Sequence, residues 1–227
     1  MSKVVMITGA SRGIGLAIAQ ALQSQGYSVS LGLRQPEVEL PLSEDGLLRC
    51  YYDAFDPKSA KAWYEQTLAA YGHLDALVLS AGLLKVLKIE DDDEEALDEM
   101  LDVNVKANWR LARLCLPELK VSGHGRVISL VSLSGKRVKG LSVGYSVSKF
   151  AQLALHQGIR NAAFDDGVRC CAICPSWVNT DMARAVSRLA PEDMTQPEDL
   201  AKLVAQVMAL PNSAVVDELT VNCALEK

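Results

Sequence analysis

The sequence predicts an α/β fold, a doubly wound parallel sheet of about seven strands with helices on both faces. Three observations predict it. Short apolar runs such as "LDALVLSAG" show no polar alternation, as expected of strands covered on both faces. Segments of helical period separate them. A glycine-rich turn, "TGASRGIG" (Thr8–Gly15), joins the first strand to the first helix. Right-handed crossovers between sequential parallel strands then wind helices onto both faces.

Each element follows in order. "KVVMITG" is a short apolar run ending in glycine. "IGLAIAQALQSQG" spaces Ile14, Ile18, Ala21 and Leu22 as one helix face and stops at Gly26. "YSVSLGLR" and "LLRCYYDAF" are the second and third strands, and "KSAKAWYEQTLAAYG" is a helix. "LDALVLSAG" is the fourth strand, and a long helical stretch runs from about Glu94 to Leu119. "RVISLVSLSG" is the fifth strand, followed by a helix from near Tyr145 to about Phe164. "VRCCAICPSWVNT" is a sixth strand with a loop, "PEDLAKLVAQVMAL" the final helix, and "VVDELTVNC" the last strand. Strand and helix alternate throughout. No linker, repeat or low-complexity segment interrupts residues 1–227, so one domain is expected. The acidic run Glu90–Asp102 reads as the solvated start of a helix, where carboxylates suit the dipole.

The bulk numbers narrow the function. The chain has 227 residues, nearly half of them apolar, and a formal charge of −5. That charge gives no general reason to bind nucleic acid or an anionic membrane. No apolar stretch reaches the ~18 residues of a membrane span. The six cysteines, Cys50, Cys115, Cys170, Cys171, Cys174 and Cys223, have irregular spacing and no signal peptide before them. Cys171 and Cys174 form a C-x-x-C inside a buried strand, with no second pair or nearby histidine to complete a zinc site. No metal site is expected, and a reducing, cytoplasmic setting fits.

The glycine turn carries the first chemistry. Glycines let the backbone approach a ligand, and the helix N-terminus offers free N–H groups to a pyrophosphate. Position after a strand and before a helix makes this the Rossmann pattern of a dinucleotide site, although the spacing is G-x-x-x-G-x-G. NAD-binding folds often end the second strand in an acid that accepts from the ribose 2′-OH. Here the strand ends in Arg34, and Arg12 lies inside the glycine loop. Two guanidiniums suit a 2′-phosphate. NADP(H) is therefore expected over NAD(H).

"GYSVSK" (Gly144–Lys149) places a lysine one helical turn after a tyrosine. A phenol of pKa ~10 is a poor acid or base near neutral pH. A fixed ammonium nearby would stabilise the phenolate and lower that value. Together with "TGASRGIG", Asp53, "SAG" (Ser80–Gly82), Asn104 in "DVNV", Ser132 and "PSWVNT" (Pro175–Thr180), the chain resembles the short-chain dehydrogenase/reductase family over nearly its whole length. Ser132 precedes Tyr145 by 13 residues and Gly135 follows Ser132 by three, both the family's usual spacing.

The resemblance implies roles. Tyr145 is the general acid for carbonyl reduction, Ser132 holds the substrate oxygen, and Lys149 also bonds the nicotinamide ribose. Asn104 helps anchor a water leading to Lys149. Gly9, Ser11, Arg12, Gly13, Ile14 and Gly15 lie at the phosphates and ribose, with Arg34 at the adenosine ribose and Asp53 at the adenine amino group. Ala81 and Gly82 line the cleft. Pro175, Val178 and Thr180 flank the nicotinamide beside Tyr145 and Lys149. The implied function is hydride transfer between nicotinamide and a ketone, aldehyde or alcohol. The alternative is a dinucleotide-sensing binding module or regulator.

The chain departs from the family pattern at four places. Ser80 replaces an asparagine, Ser176 replaces a glycine and is expected to tighten the nicotinamide pocket, and Val131 replaces a serine. The tail "TVNCALEK" lacks the glycines many members carry. Leu141, Val143, Trp177 and Met182 are expected to form an apolar substrate wall. His73, His124 and His156 fit no triad or metal spacing and read as loop or helix-surface residues. The Glu94–Leu119 region resembles the family's dimerisation surface, so a homodimer or homotetramer is expected.

Overall fold

The computed structural model describes residues 2–139 and 142–225. Its sheet has seven parallel strands: β1 (Val4–Thr8), β2 (Ser28–Leu33), β3 (Leu47–Tyr51), β4 (Ala76–Leu79), β5 (Arg126–Leu130), β6 (Arg169–Pro175) and β7 (Glu218–Val221). Their spatial order is β3-β2-β1-β4-β5-β6-β7. This is the doubly wound Rossmann order, with its switch point between β1 and β4.

Side chains alternate across the pleat, so one strand serves two cores. Val5, Ile7, Val29, Leu31, Val78, Ile128 and Ile173 pack beneath α1 (Gly13–Ser24). Leu200, Val204 and Met208 of a late helix, Pro197–Ala209, share that layer. Val4, Met6, Leu77, Leu79 and Val127 point the other way. They meet Trp63 of α2 (Pro57–Tyr71) and, further along the chain, Leu111, Cys115 and Leu119. Among the described residues all six cysteines are free and buried, and the C-x-x-C pair divides between sheet faces. No helix of the described residues is long and apolar enough to cross a membrane.

Two departures from the simple alternation matter. No helix separates β2 from β3; residues 34–46 form an irregular crossover. Pro36 and Pro41 disfavour a helix there, and Gln23 of α1 ties the segment down by exchanging hydrogen bonds with the Ser43 backbone at 2.7 and 2.8 Å. The long helix after β4 is likewise not uniform. It runs as α3 (Glu94–Leu101), a π-helical turn (Asp102–Lys106) and α4 (Ala107–Val121). Asp93 caps its start, its carboxylate accepting from Ala96 N at 2.9 Å, so the acidic run does open a helix. The π turn contains Asn104 and rotates it inward to full burial. Such turns recur at functional sites.

Candidate active site

A cleft of about 1300 Å³ opens at the carboxyl ends of the strands, over the switch point. The first segment on its wall is the loop between β1 and α1. Gly9 has φ +67°, and a Cβ there would lie 2.9 Å from the Ala81 backbone. A Cβ on Gly15 would lie 2.4 Å from the Gly9 carbonyl. The loop is therefore folded against itself in a way that side chains forbid, which leaves a concave backbone at the helix start. Thr8 sits behind it. Its Oγ1 accepts from both Ser80 N and Ala81 N at 2.9 Å. That clamp holds the end of β4 to the end of β1, and its backbone bonds do not involve the Ser80 side chain.

Gly9, Ser11, Arg12, Gly13, Ile14, Gly15, Arg34, Asp53, Ala81, Gly82, Pro175, Val178 and Thr180 all line this cleft. Arg34 is exposed at the end of β2. Arg12 forms an ion pair of 3.5 Å with Asp181, which begins the short helix α6 that follows α5 (Val143–Ala163), in Asp181–Arg184. Asp53 uses one carboxylate oxygen to accept from Phe55 N at 2.9 Å, fixing its turn. Thr180 caps α6, accepting from Ala183 N at 3.3 Å. Ser176 also lines the cleft, and its Oγ accepts from Cys223 N at 2.6 Å. The serine thereby ties the loop after β6 to the segment after β7.

The catalytic candidates Ser132, Tyr145 and Lys149 line the same cleft. Ser132 opens a short 3-10 turn, Leu133–Gly135, and its Oγ accepts from Ser134 N at 3.1 Å. Tyr145 and Lys149 lie one turn apart in α5. Burial pushes the Tyr145 phenol up to about 12, against a smaller lowering by its hydrogen bond with Ser132. Lys149 is 3% exposed, and burial pushes its amine down to about 7. Its Nζ lies 5.6 Å from the Tyr145 ring centroid and donates to Leu130 O at 3.1 Å and Gln152 Oε1 at 2.7 Å. The lowering of the tyrosine expected from this ammonium is not what dominates: burial raises the phenol, and the Ser132 hydrogen bond is what opposes it.

Asn104 does not line the cleft. Its carboxamide accepts from Leu83 N at 2.8 Å and donates to Leu83 O and Ser148 Oγ, both at 2.9 Å. Ser148 in turn donates to Tyr145 O at 2.8 Å. The π turn thereby fastens the loop after β4 to the helix of Tyr145. The Asn104 carbonyl accepts from Asn108 Nδ2 at 2.7 Å.

Trp177 and Met182 line the cleft, as do the apolar side chains of Leu84, Val86, Val186, Leu189 and Leu225. Leu141 lies outside the described residues, and Val143 sits in the first turn of α5. His156 corrects the surface reading of the histidines. It is 3% exposed, its Nδ1 lies 2.9 Å from Ser129 Oγ, and burial pushes it down to about 4. Residues 3–191 match the short chain dehydrogenase family.

The chain belongs to the short-chain dehydrogenase family.

Among members it is 36% identical to an agropine synthesis reductase of Rhizobium rhizogenes, over 99% of this chain and 53% of that protein. It thus spans about half the length of that relative. An uncharacterized oxidoreductase of Staphylococcus haemolyticus is 30% identical over 96% of both chains. Among solved structures, an alcohol dehydrogenase from Thermococcus sibiricus, complexed with 5-hydroxy-NADP, superposes with TM-score 0.88 at 28% identity. It covers 100% of this chain and 99% of its own. A 3-ketoacyl-(acyl-carrier-protein) reductase from Brucella melitensis, complexed with NADH, shares the fold with TM-score 0.89 at 22% identity, covering 97% and 96%. Short-chain dehydrogenases use a nicotinamide dinucleotide. The glycine-lined concavity and the cations beside it fit such a group.

Sequence reading missed Thr8, Ser148 and Gln152. For Gln152 a signal existed: it lies seven residues after Tyr145 and three after Lys149, on the inward face of one helix.

Proposed function

We propose that the chain is an NADP(H)-dependent reductase of a ketone or aldehyde, working reversibly as an alcohol dehydrogenase. The convergence of Ser132, Tyr145 and Lys149 on a cleft that ends in a glycine-lined helix N-terminus carries this reading. When bound, the nicotinamide supplies the hydride. Gly9, Ser11, Gly13, Ile14 and Gly15 would hold its phosphates, Arg12 and Arg34 a 2′-phosphate, and Asp53 the adenine. Ala81, Gly82, Pro175, Val178 and Thr180 would border the nicotinamide.

Tyr145 is protonated at neutral pH, as any phenol is and the more so when buried, so it holds a proton to donate to a carbonyl oxygen as charge develops there. Ser132 orients the same oxygen with its hydroxyl. Lys149 would contribute charge near the phenol and a donor to the ribose. Asn104 would help anchor a water leading to Lys149 from behind the wall, its side chain being committed to Leu83 and Ser148. The reductase name of the Rhizobium rhizogenes relative and the alcohol dehydrogenase title support a carbonyl–alcohol couple. NADP(H) is supported by Arg34, by the want of an acid at the end of β2, and by the NADP analogue in the Thermococcus sibiricus complex.

Assembly as a homodimer or homotetramer is part of the proposal. Trp109 is 60% exposed, and Val147 and Phe150 are also exposed, on the outer faces of α4 and α5. A strictly monomeric mass by light scattering would overturn it. Six buried thiols support a cytoplasmic setting.

The test is oxidation of NADPH beside NADH against aldehydes, ketones, diketones and quinones, with Tyr145→Phe in parallel. Turnover favouring NADPH and lost in the variant is expected. Tight dinucleotide binding without turnover across the panel would replace the enzyme with a dinucleotide-sensing module.

A further inference from the structure

Gln152 is 1% exposed on the inward face of α5, a place where an uncompensated carboxamide is costly. Both ends of its side chain are used. Oε1 accepts from Lys149 Nζ at 2.7 Å, and Nε2 donates to Leu130 O at 3.3 Å. Lys149 reaches the same Leu130 carbonyl at 3.1 Å. The three groups close a ring: lysine and glutamine share one carbonyl of β5, and the glutamine oxygen bonds the lysine.

An ammonium has three protons. Leu130 and Gln152 take two, both on the sheet side. The third is left for the cleft side, where a Cβ on Gly82 would come within 3.7 Å of Nζ. We propose that Gln152 is a positioning residue for Lys149, whose amide oxygen fixes the direction of the amine and favours its charged form in a buried site. This inference rests on the reductase reading for its catalytic consequence.

The surroundings leave that task to Gln152. Lys149 is packed between α5, β5 and β6, and the ionisable groups beside it are Tyr145 on α5 and Cys174 on β6. No carboxylate is among the groups acting on it. Burial favours the neutral amine, so acceptor oxygens decide how much ammonium survives near neutral pH. Of its two acceptors, the Leu130 carbonyl belongs to the backbone, and the Gln152 oxygen is the one a side-chain substitution can remove.

The test reads Lys149 directly. In protein carrying ¹³C-lysine, the Lys149 signal is assigned by its loss in Lys149→Met, and its midpoint is followed against pH. Gln152→Met removes the oxygen with little change in volume, and the midpoint is expected to fall by about one unit. Gln152→Glu keeps an oxygen at the same reach and is expected to hold the midpoint at or above the parent's. With a parent midpoint near 7, a one-unit fall cuts the ammonium fraction at neutral pH roughly fivefold. Turnover should fall in proportion in the Met variant and recover in the Glu variant, with the carbonyl KM little changed. Midpoints that match the parent in both variants, or that fall together, would overturn the proposal. Absence of turnover in the parent protein would count against the reductase reading instead, while the titration would still decide the role of Gln152.

Discussion

Thr8→Val tests whether the clamp behind the glycine turn organises the cleft. Valine keeps the shape and β-branching of threonine, so packing in the fully buried site changes little. What disappears is one oxygen that accepts from two backbone donors, Ser80 N and Ala81 N, each at 2.9 Å. An orphaned buried donor costs about 1–3 kcal/mol. Both residues are half-buried beside the cleft, so water relieves part of the loss. A total of about 3 kcal/mol is expected, or roughly 6–12 °C in Tm for a chain of this size. Urea denaturation with and without saturating dinucleotide measures it. Thr8→Ser keeps the oxygen and gives up one methyl, so it should recover most of the loss. If the valine variant is no less stable than the serine variant, the two hydrogen bonds do not hold the strand ends together and the reasoning fails.

Gly15→Ala would drive a methyl to 2.4 Å from the Gly9 carbonyl; dinucleotide affinity, read by fluorescence titration, should fall at least about tenfold while the circular dichroism of the sheet and helices persists. Arg34→Ala should weaken NADPH about tenfold or more and leave NADH nearly unchanged, measured by calorimetry; equal loss for both would remove the 2′-phosphate assignment. Because burial pushes Lys149 down from its ordinary 10.5 to about 7 in the folded chain, the unfolded chain binds the extra proton between those values. Its contribution to stability therefore rises with pH across that window. Lys149→Met should flatten the rise by about 1.4 kcal/mol per pH unit in denaturant melts.

How far the sequence could be read depended on the range of the signal. The strand runs, the turn at Thr8–Gly15 and the Tyr145–Lys149 spacing are local, and geometry forces such patterns into a short window. The second and third strands were read as consecutive, and the crossover between them is indeed without a helix, held by two prolines and a Gln23 contact with the Ser43 backbone. The π turn was invisible because it shifts helical register by one residue and leaves composition unchanged, yet it is what buries Asn104. Gln152 and His156 looked like ordinary polar residues of an amphipathic helix. Only the neighbours brought in by β5, the Leu130 carbonyl and the Ser129 hydroxyl, make their burial tolerable. The downward shift of Lys149 was equally hidden, since desolvation belongs to the assembled site and not to a spacing.

The Arg12–Asp181 pair has one more implication. Arg12 belongs to the glycine turn, and Asp181 starts the helix that also carries Met182, which lines the same cleft. One contact therefore ties the loop after β1 to the segment after β6, two walls of the same cleft. Both side chains are mostly in water, at 72% and 56% exposure, where ion pairs contribute little and salt weakens them further. The two walls are joined by a contact that water and salt readily loosen, and an anion that displaced Asp181 from Arg12 would release it. Ionic strength should then govern how readily molecules come and go, more than how tightly the folded chain holds together.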